Sequence, residues 1–194
     1  VSQPYSSKGA RKRAFSLKPS YTRTLRAEFL QKKQFDSVLD LPSYKDGTDI
    51  AEFLLGCLHR FEGRLIADIA TELGVPIKGG KASNAGFVRR MLGFASGKGH
   101  VREIAECGIT LRVVPVNPKT GKLWEAVSFP HQTLLEIAEE ESFEDSALCA
   151  ATVSMLVVPV YRGRKASDEG ARLGKAHFWQ PDAEALRALS LIHI

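Results

Sequence analysis

The sequence has no apolar run approaching the roughly 20 residues that a membrane span needs. Its N-terminus is polar and basic, without the apolar segment of a secretory leader. Both absences make a soluble, cytoplasmic chain the expectation. No Cys-x-x-Cys pair occurs. Cys57, Cys107 and Cys149 are odd in number and far apart, which argues against a zinc site or disulfide framework and for three buried, reduced thiols. No Gly-x-Ser-x-Gly elbow is present, so a hydrolase triad has no support. Gly79-Gly80-Lys81 and Ser96-Gly97-Lys98-Gly99 lack the spacing of a phosphate-binding loop. His100, His131 and His177 are too dispersed for a metal site, and His59, inside an amphipathic helix, is expected to be a partly buried structural residue. No internal repeat is visible.

What is present is an uneven charge. The 194 residues carry a net charge of +5, yet residues 1–35 hold nine Lys/Arg against the single acid Glu28. From Ile77 to Lys122 there are nine Lys/Arg and two acids, Glu103 and Glu106, whereas Leu123–Ala150 has seven acids and no Lys or Arg. A basic middle beside an acidic stretch suggests one face that meets a polyanion and another that does not. The ends read differently. Residues 1–47 form a basic linker or arm with a possible helix, and 48–188 a globular domain. Leu189-Ser190-Leu191-Ile192-His193-Ile194 reads like a translated sequencing adapter rather than part of the fold. With Val1 at its start, the chain reads as a fragment truncated at its C-terminus.

Within the globular part, Thr48 or Asp49 can cap a helix carrying Ile50, Phe53, Leu54, Leu58 and Phe61. A shorter helix follows, with Ile66, Ile69 and Leu73 on one face and Gly74 as its stop. Ser83 or Asn84 can cap a third, burying Phe87, Val88, Met91 and Leu92. Ile109–Val116 is strand-like, with Trp124–Phe129 a returning strand after the turn residues Pro118 and Gly121. His131–Glu141 fits a helix, and Ser142 with Asp145 resembles a capping box before another. Met155–Val160 is a continuous apolar run, predicted as a buried central strand. Pro181 stands near the start of a last helix, and Trp124 and Trp179 are expected in the core. Helices, then strands with helices between them, imply an α/β domain with a central mixed sheet flanked by helices.

A DNA-hydrolysing site needs hard oxygen ligands for magnesium, commonly an acid, a second acid further on, and a Lys two residues after it. Strand alternation puts that second acid and the Lys on one face. The segment Glu103-Ile-Ala-Glu-Cys-Gly-Ile-Thr110-Leu-Arg112 has this shape without its chemistry. Here the chain resembles the MutH mismatch-repair nuclease and the related type II restriction endonucleases that cut at GATC. The pieces that carry the likeness are Leu65-Ile-Ala-Asp-Ile-Ala-Thr-Glu-Leu-Gly74, Arg90-Met-Leu-Gly93, Cys107-Gly-Ile-Thr-Leu-Arg-Val-Val-Pro-Val116, Val157-Val-Pro-Val160 and Arg172-Leu-Gly-Lys-Ala-His-Phe-Trp-Gln-Pro181. The resemblance implies a restriction-endonuclease-like, MutH-like fold. It also implies that active members place an Asp at Glu103, a Glu at Thr110, a Lys at Arg112 and a Glu at Arg89. One acid has become a hydroxyl and another a cation. Arg112, always charged, is a poor proton shuttle.

The degenerate positions Arg89, Glu103, Thr110 and Arg112 therefore point to a pseudo-active site with no catalytic residue and no bound metal. By resemblance, the larger enzymes of this family join a cutting half, which would hold Mg²⁺, to a second, silent half that binds another DNA copy as effector. This chain resembles the second half, with a catalytic MutH-like domain and double-stranded DNA as its partners. Expected DNA contacts are Lys78 and Lys81 in a glycine loop, Arg89, Lys98 and Arg112 in the old cleft, and Arg162, Arg164, Lys165, Arg172 and Lys175 after the central strand. Arg172, by resemblance in the base-reading segment, is expected to read a base. The competing expectations are an active MutH-like nuclease using Glu103 and Glu106, and a non-DNA domain that binds some other polyanion.

Overall fold

The computed structural model describes residues 2–3, 6–9, 19–76, 81–95, 99–127, 143, 146–164, 169–182, 184–186 and 188. In the basic arm, Ser2–Gln3 (β1) and Ser6–Gly9 (β2) pair antiparallel. Helix α1, Pro19–Phe29, has proline as its first residue, where a missing N–H removes no helical bond. After Phe35–Asp36 (β3), the Ser37 side chain accepts from the Leu39 amide at 3.1 Å and caps a 3-10 turn, Val38–Asp40. Asp49, one of the two expected caps, accepts from the Glu52 amide at 3.0 Å and opens α2, Ile50–His59. Helix α3, Ile66–Glu72, stops at Gly74, whose φ of 63° suits glycine.

Helix α4 runs Lys81–Met91, so Ser83 and Asn84 lie inside it and do not cap it. The apolar period from Phe87 starts later than the helix does. His100–Val101 (β4) pairs in parallel with β3 and leads directly into α5, Arg102–Glu106. Strand β5 is Thr110–Val116, and helix α6 is Ala147–Thr152. The cap of α6 is Ser146, whose Oγ accepts from the Cys149 amide at 2.9 Å; the expected Ser142 and Asp145 lie outside the described residues. Strand β6, Met155–Tyr161, precedes the short strands β7, Arg172–Leu173, and β8, His177–Trp179.

The predicted mixed sheet forms around β6. Strand β5 lies parallel to it from Thr110↔Met155 to Val116↔Tyr161, and β7 and β8 lie antiparallel on its other side. Alternation then divides the sheet into two faces. One face, with Leu111, Val113, Leu156, Val158, Leu173 and Phe178, packs against Leu54 and Leu58 of α2 and Val88 and Met91 of α4. Val38 and Leu41 join the same core, so the stretch expected as an arm with a possible helix supplies buried residues as well as α1. The opposite face carries Thr110 and Arg112 in alternate positions, as predicted.

Several sequence expectations are corrected. Trp179 is 37% exposed, because its neighbour Phe178 takes the core side of β8. Trp124 is held in place, its Nε1 donating to the Arg162 carbonyl at 2.8 Å. Cys107, in the turn after α5, is exposed, whereas Cys57 and Cys149 are buried, and none of the three is in a disulfide. The expected returning strand, Trp124–Phe129, runs partly outside the described residues; among the described residues, 124–127 form no strand, and Val116 bridges Leu123 just before them. The His131–Glu141 helix lies outside it too. His59 takes its expected structural role, Nε2 lying 2.7 Å from the Ala176 carbonyl oxygen. Among the described residues no helix is long and apolar enough to cross a membrane.

Candidate nucleic-acid interface

Three of the four positions singled out in the sequence lie where α5 enters β5, and Arg89 stands on α4, which packs against β5. Gly108, with φ 69°, makes the turn between α5 and β5; a Cβ there would lie 3.3 Å from the Ser20 side chain. Thr110 starts β5, its amide donating to the Ser154 carbonyl at 2.9 Å. Thr110 and Arg112 share one face, beside Met155 and Val157 of β6.

Glu103 is turned away from that role. It is 5% exposed, and its Oε2 accepts from the Val38 amide at 2.9 Å while Oε1 accepts from Ser37 Oγ. Both donors belong to the 3-10 turn that places Val38 in the core. Arg89 is nearly as buried. It donates to the Asp36 carboxylate, and its guanidinium carbon lies 5.0 Å from the centre of the Phe94 ring. Glu103 and Arg89 thus hold one segment, residues 36–38, from two sides. Asp36 and Ser37 escaped the sequence reading. Their signal was a polar pair directly before the apolar Val38 and Leu39, a pattern that suits a short capped turn.

The donor set does not fit a magnesium ion. The Glu103 oxygens already accept two hydrogen bonds, Thr110 offers one neutral hydroxyl, and Arg89 brings a cation to the segment that Glu103 holds. Glu106 does not complete a pair with Glu103. It belongs to the contact between α5 and α1, where its carbonyl accepts from Ser20 Oγ at 2.7 Å and its carboxylate lies 4.0 Å from Arg102 Nη1. Arg102 in turn bonds Glu28 of α1, with 2.8 Å from Nη1 to Oε2; this contact raises the guanidinium pKa above its ordinary value despite some desolvation. Among the described residues no three His, Cys, Asp or Glu side chains converge.

The structure separates the expected DNA contacts. Lys78, Lys98 and Lys165 lie outside the described residues, as does the side chain of Lys81 at the start of α4. Arg89 is buried in its pair with Asp36. Arg162 is turned inward, donating to the carbonyls of Gly163 and Arg164 at 3.0 Å each and lying 3.7 Å from Glu125. Arg112 is half-buried on β5. Arg164, Arg172 and Lys175 are exposed. Arg172 also donates to the Gly63 carbonyl at 2.8 Å, which tethers the guanidinium without covering it.

The family model described as DNA mismatch repair enzyme MutH matches residues 92–190, a stretch that contains β4 to β8 and the residues Glu103, Thr110 and Arg112. Two curated relatives resemble the chain, both called DNA mismatch repair protein MutH, from Shewanella sp. (strain W3-18-1) and Shewanella putrefaciens (strain CN-32 / ATCC BAA-453). Each is 29% identical over 140 residues, covering 70% of this chain and 62% of the relative. The chain therefore spans less than two thirds of the length of these relatives. The matched half of the chain is the half that builds the mixed sheet, and on that evidence the chain belongs to the MutH family.

Proposed function

We propose that this chain binds double-stranded DNA without cutting it, as the effector domain of a type II restriction endonuclease that recognises GATC. Its partner would be a catalytic MutH-like domain in the same parent chain, and Mg²⁺ would belong to that domain. The observation that carries the proposal is the state of Glu103, buried and bonded to Ser37 Oγ and the Val38 amide, with Arg89 paired to Asp36 behind it. A carboxylate used in this way supports packing. It is a poor candidate for a metal ligand or a proton acceptor.

The sheet face that carries Thr110 and Arg112 also bears exposed cations, and phosphate neutralisation by Lys and Arg supplies most DNA affinity. Arg172 and Lys175 are the contacts best supported, and Arg164 is exposed near them. Arg89 and Arg162 are better read as structural. A titration of GATC and scrambled duplexes at several salt concentrations tests the proposal. Affinity should fall steeply with salt on both, and a GATC preference should shrink in Arg172→Ala. Binding that ignores salt would remove the electrostatic basis.

A further inference from the structure

The segment Lys175–Trp179 alternates without exception. Lys175, His177 and Trp179 are exposed, while Ala176 is 2% exposed and Phe178 packs on the core. The phase is set by an extra residue. Val160 pairs with Leu173 and Val157 with His177, so three residues, Gly174–Ala176, span Val158 and Pro159 of β6. This bulge turns Lys175 outward and leaves Gly174 beneath the Tyr161 ring, where a Cβ would come within 2.6 Å of Cε2.

The outward row adjoins the degenerate site. Trp179 lies opposite Met155, which lies opposite Thr110; His177 lies opposite Val157, which lies opposite Arg112. Two strand spacings, about 10 Å, separate each pair. On this face Arg172, Lys175 and His177 are exposed, Arg112 is half-buried and Met155 is 7% exposed, and none of the described positions of these strands is an acid. Trp179 is packed over part of its surface and 37% exposed, which leaves the rest open to a ligand. Beside the exposed Arg172 and Lys175, its flat apolar surface suits a nucleobase whose phosphates those cations neutralise.

We propose that Trp179 stacks on an unstacked base of bound DNA, while Lys175 contacts the phosphate backbone beside it. The inference rests on the DNA-binding reading above and adds a stacked base to the base edge expected at Arg172. Bases of an intact duplex are stacked on one another, so Trp179 engages at an opened or kinked step.

The test uses the full chain, a matched GATC duplex and the same duplex with one unpaired adenine. Wild type should bind the bulged duplex more tightly, and either duplex should quench tryptophan fluorescence. The quench should persist in Trp124→Phe and vanish in Trp179→Phe. Trp179→Ala should weaken binding to the bulged duplex by about 5- to 150-fold and erase its advantage, whereas Trp179→Phe keeps most of it. Lys175→Ala should weaken both duplexes alike and flatten the salt slope by about 0.9.

Equal binding of both duplexes by wild type and Trp179→Ala, with salt dependence intact, would overturn the stacking role and leave DNA binding standing. Failure of wild type to bind either duplex would remove both. Should Trp179→Ala not fold, a wild-type fluorescence unchanged by bound DNA overturns the proposal by itself.

Discussion

Replacing Glu103 by alanine separates a packing carboxylate from a catalytic one. In this structure the side chain is 5% exposed and accepts two hydrogen bonds, from Ser37 Oγ and from the Val38 amide at 2.9 Å. Hydrogen bonds to a charged group contribute about 1.5–3 kcal/mol, and a buried amide left without its acceptor costs about 1–3 kcal/mol. These losses overlap, since one amide appears in both. The 3-10 turn they hold carries Val38, fully buried, into the core. Glu103→Ala should therefore lower stability by about 2–4 kcal/mol. For a chain of this size that is a fall in Tm of about 4–16 °C. Glu103→Gln keeps one acceptor oxygen and should lose about half as much. Urea denaturation followed by circular dichroism reads the change as a shift in midpoint at constant slope. A stability within about 0.5 kcal/mol of wild type in the alanine variant, the scatter of an ordinary surface substitution, would refute the reasoning and leave the carboxylate free for chemistry.

The other predictions concern neighbouring features. Arg89→Ala removes a buried guanidinium from Asp36 and Phe94; because Asp36 is half exposed, the loss should be about 1–3 kcal/mol, with Arg89→Glu worse and no cleavage gained, as thermal melts and a plasmid assay would show. Gly174→Ala should destabilise by about 1–3 kcal/mol through contact with Tyr161 and Pro159, and Tyr161→Ala should relieve part of this in a double-mutant cycle. Ellman's reagent should titrate Cys107 rapidly in the native protein. Cys57 should react only on unfolding, since burial raises its thiol pKa against the smaller lowering by Arg60, and Cys149 should do likewise.

The parts of the fold legible in the sequence are those set by local pattern. Ile109–Val116 and Met155–Val160 are dense in β-branched residues, and each became a strand of one sheet. The Asp49 cap and the Gly74 stop are equally local. What escaped depends on distant partners. Glu103 meets Ser37 and Val38 across more than sixty residues, and nothing near position 103 announces this. Residues 35–41 were hidden by the basic arm before them, although Val38 and Leu41 are core residues. The apolar surroundings of Trp179 point to the core, but adjacent strand residues face opposite ways and Phe178 has the buried side. Arg89 could be read as a cation replacing an acid. Its burial against Asp36 and Phe94 could not.

The most direct measurement is a plasmid assay on the intact chain. Supercoiled DNA containing GATC is incubated with Mg²⁺ or Mn²⁺ at a protein concentration where a gel shift shows it fully bound. The account predicts shifted plasmid that, stripped of protein, runs as uncut supercoil. Nicked or linear product that appears only with metal and disappears in a folded Glu103→Gln variant would contradict it.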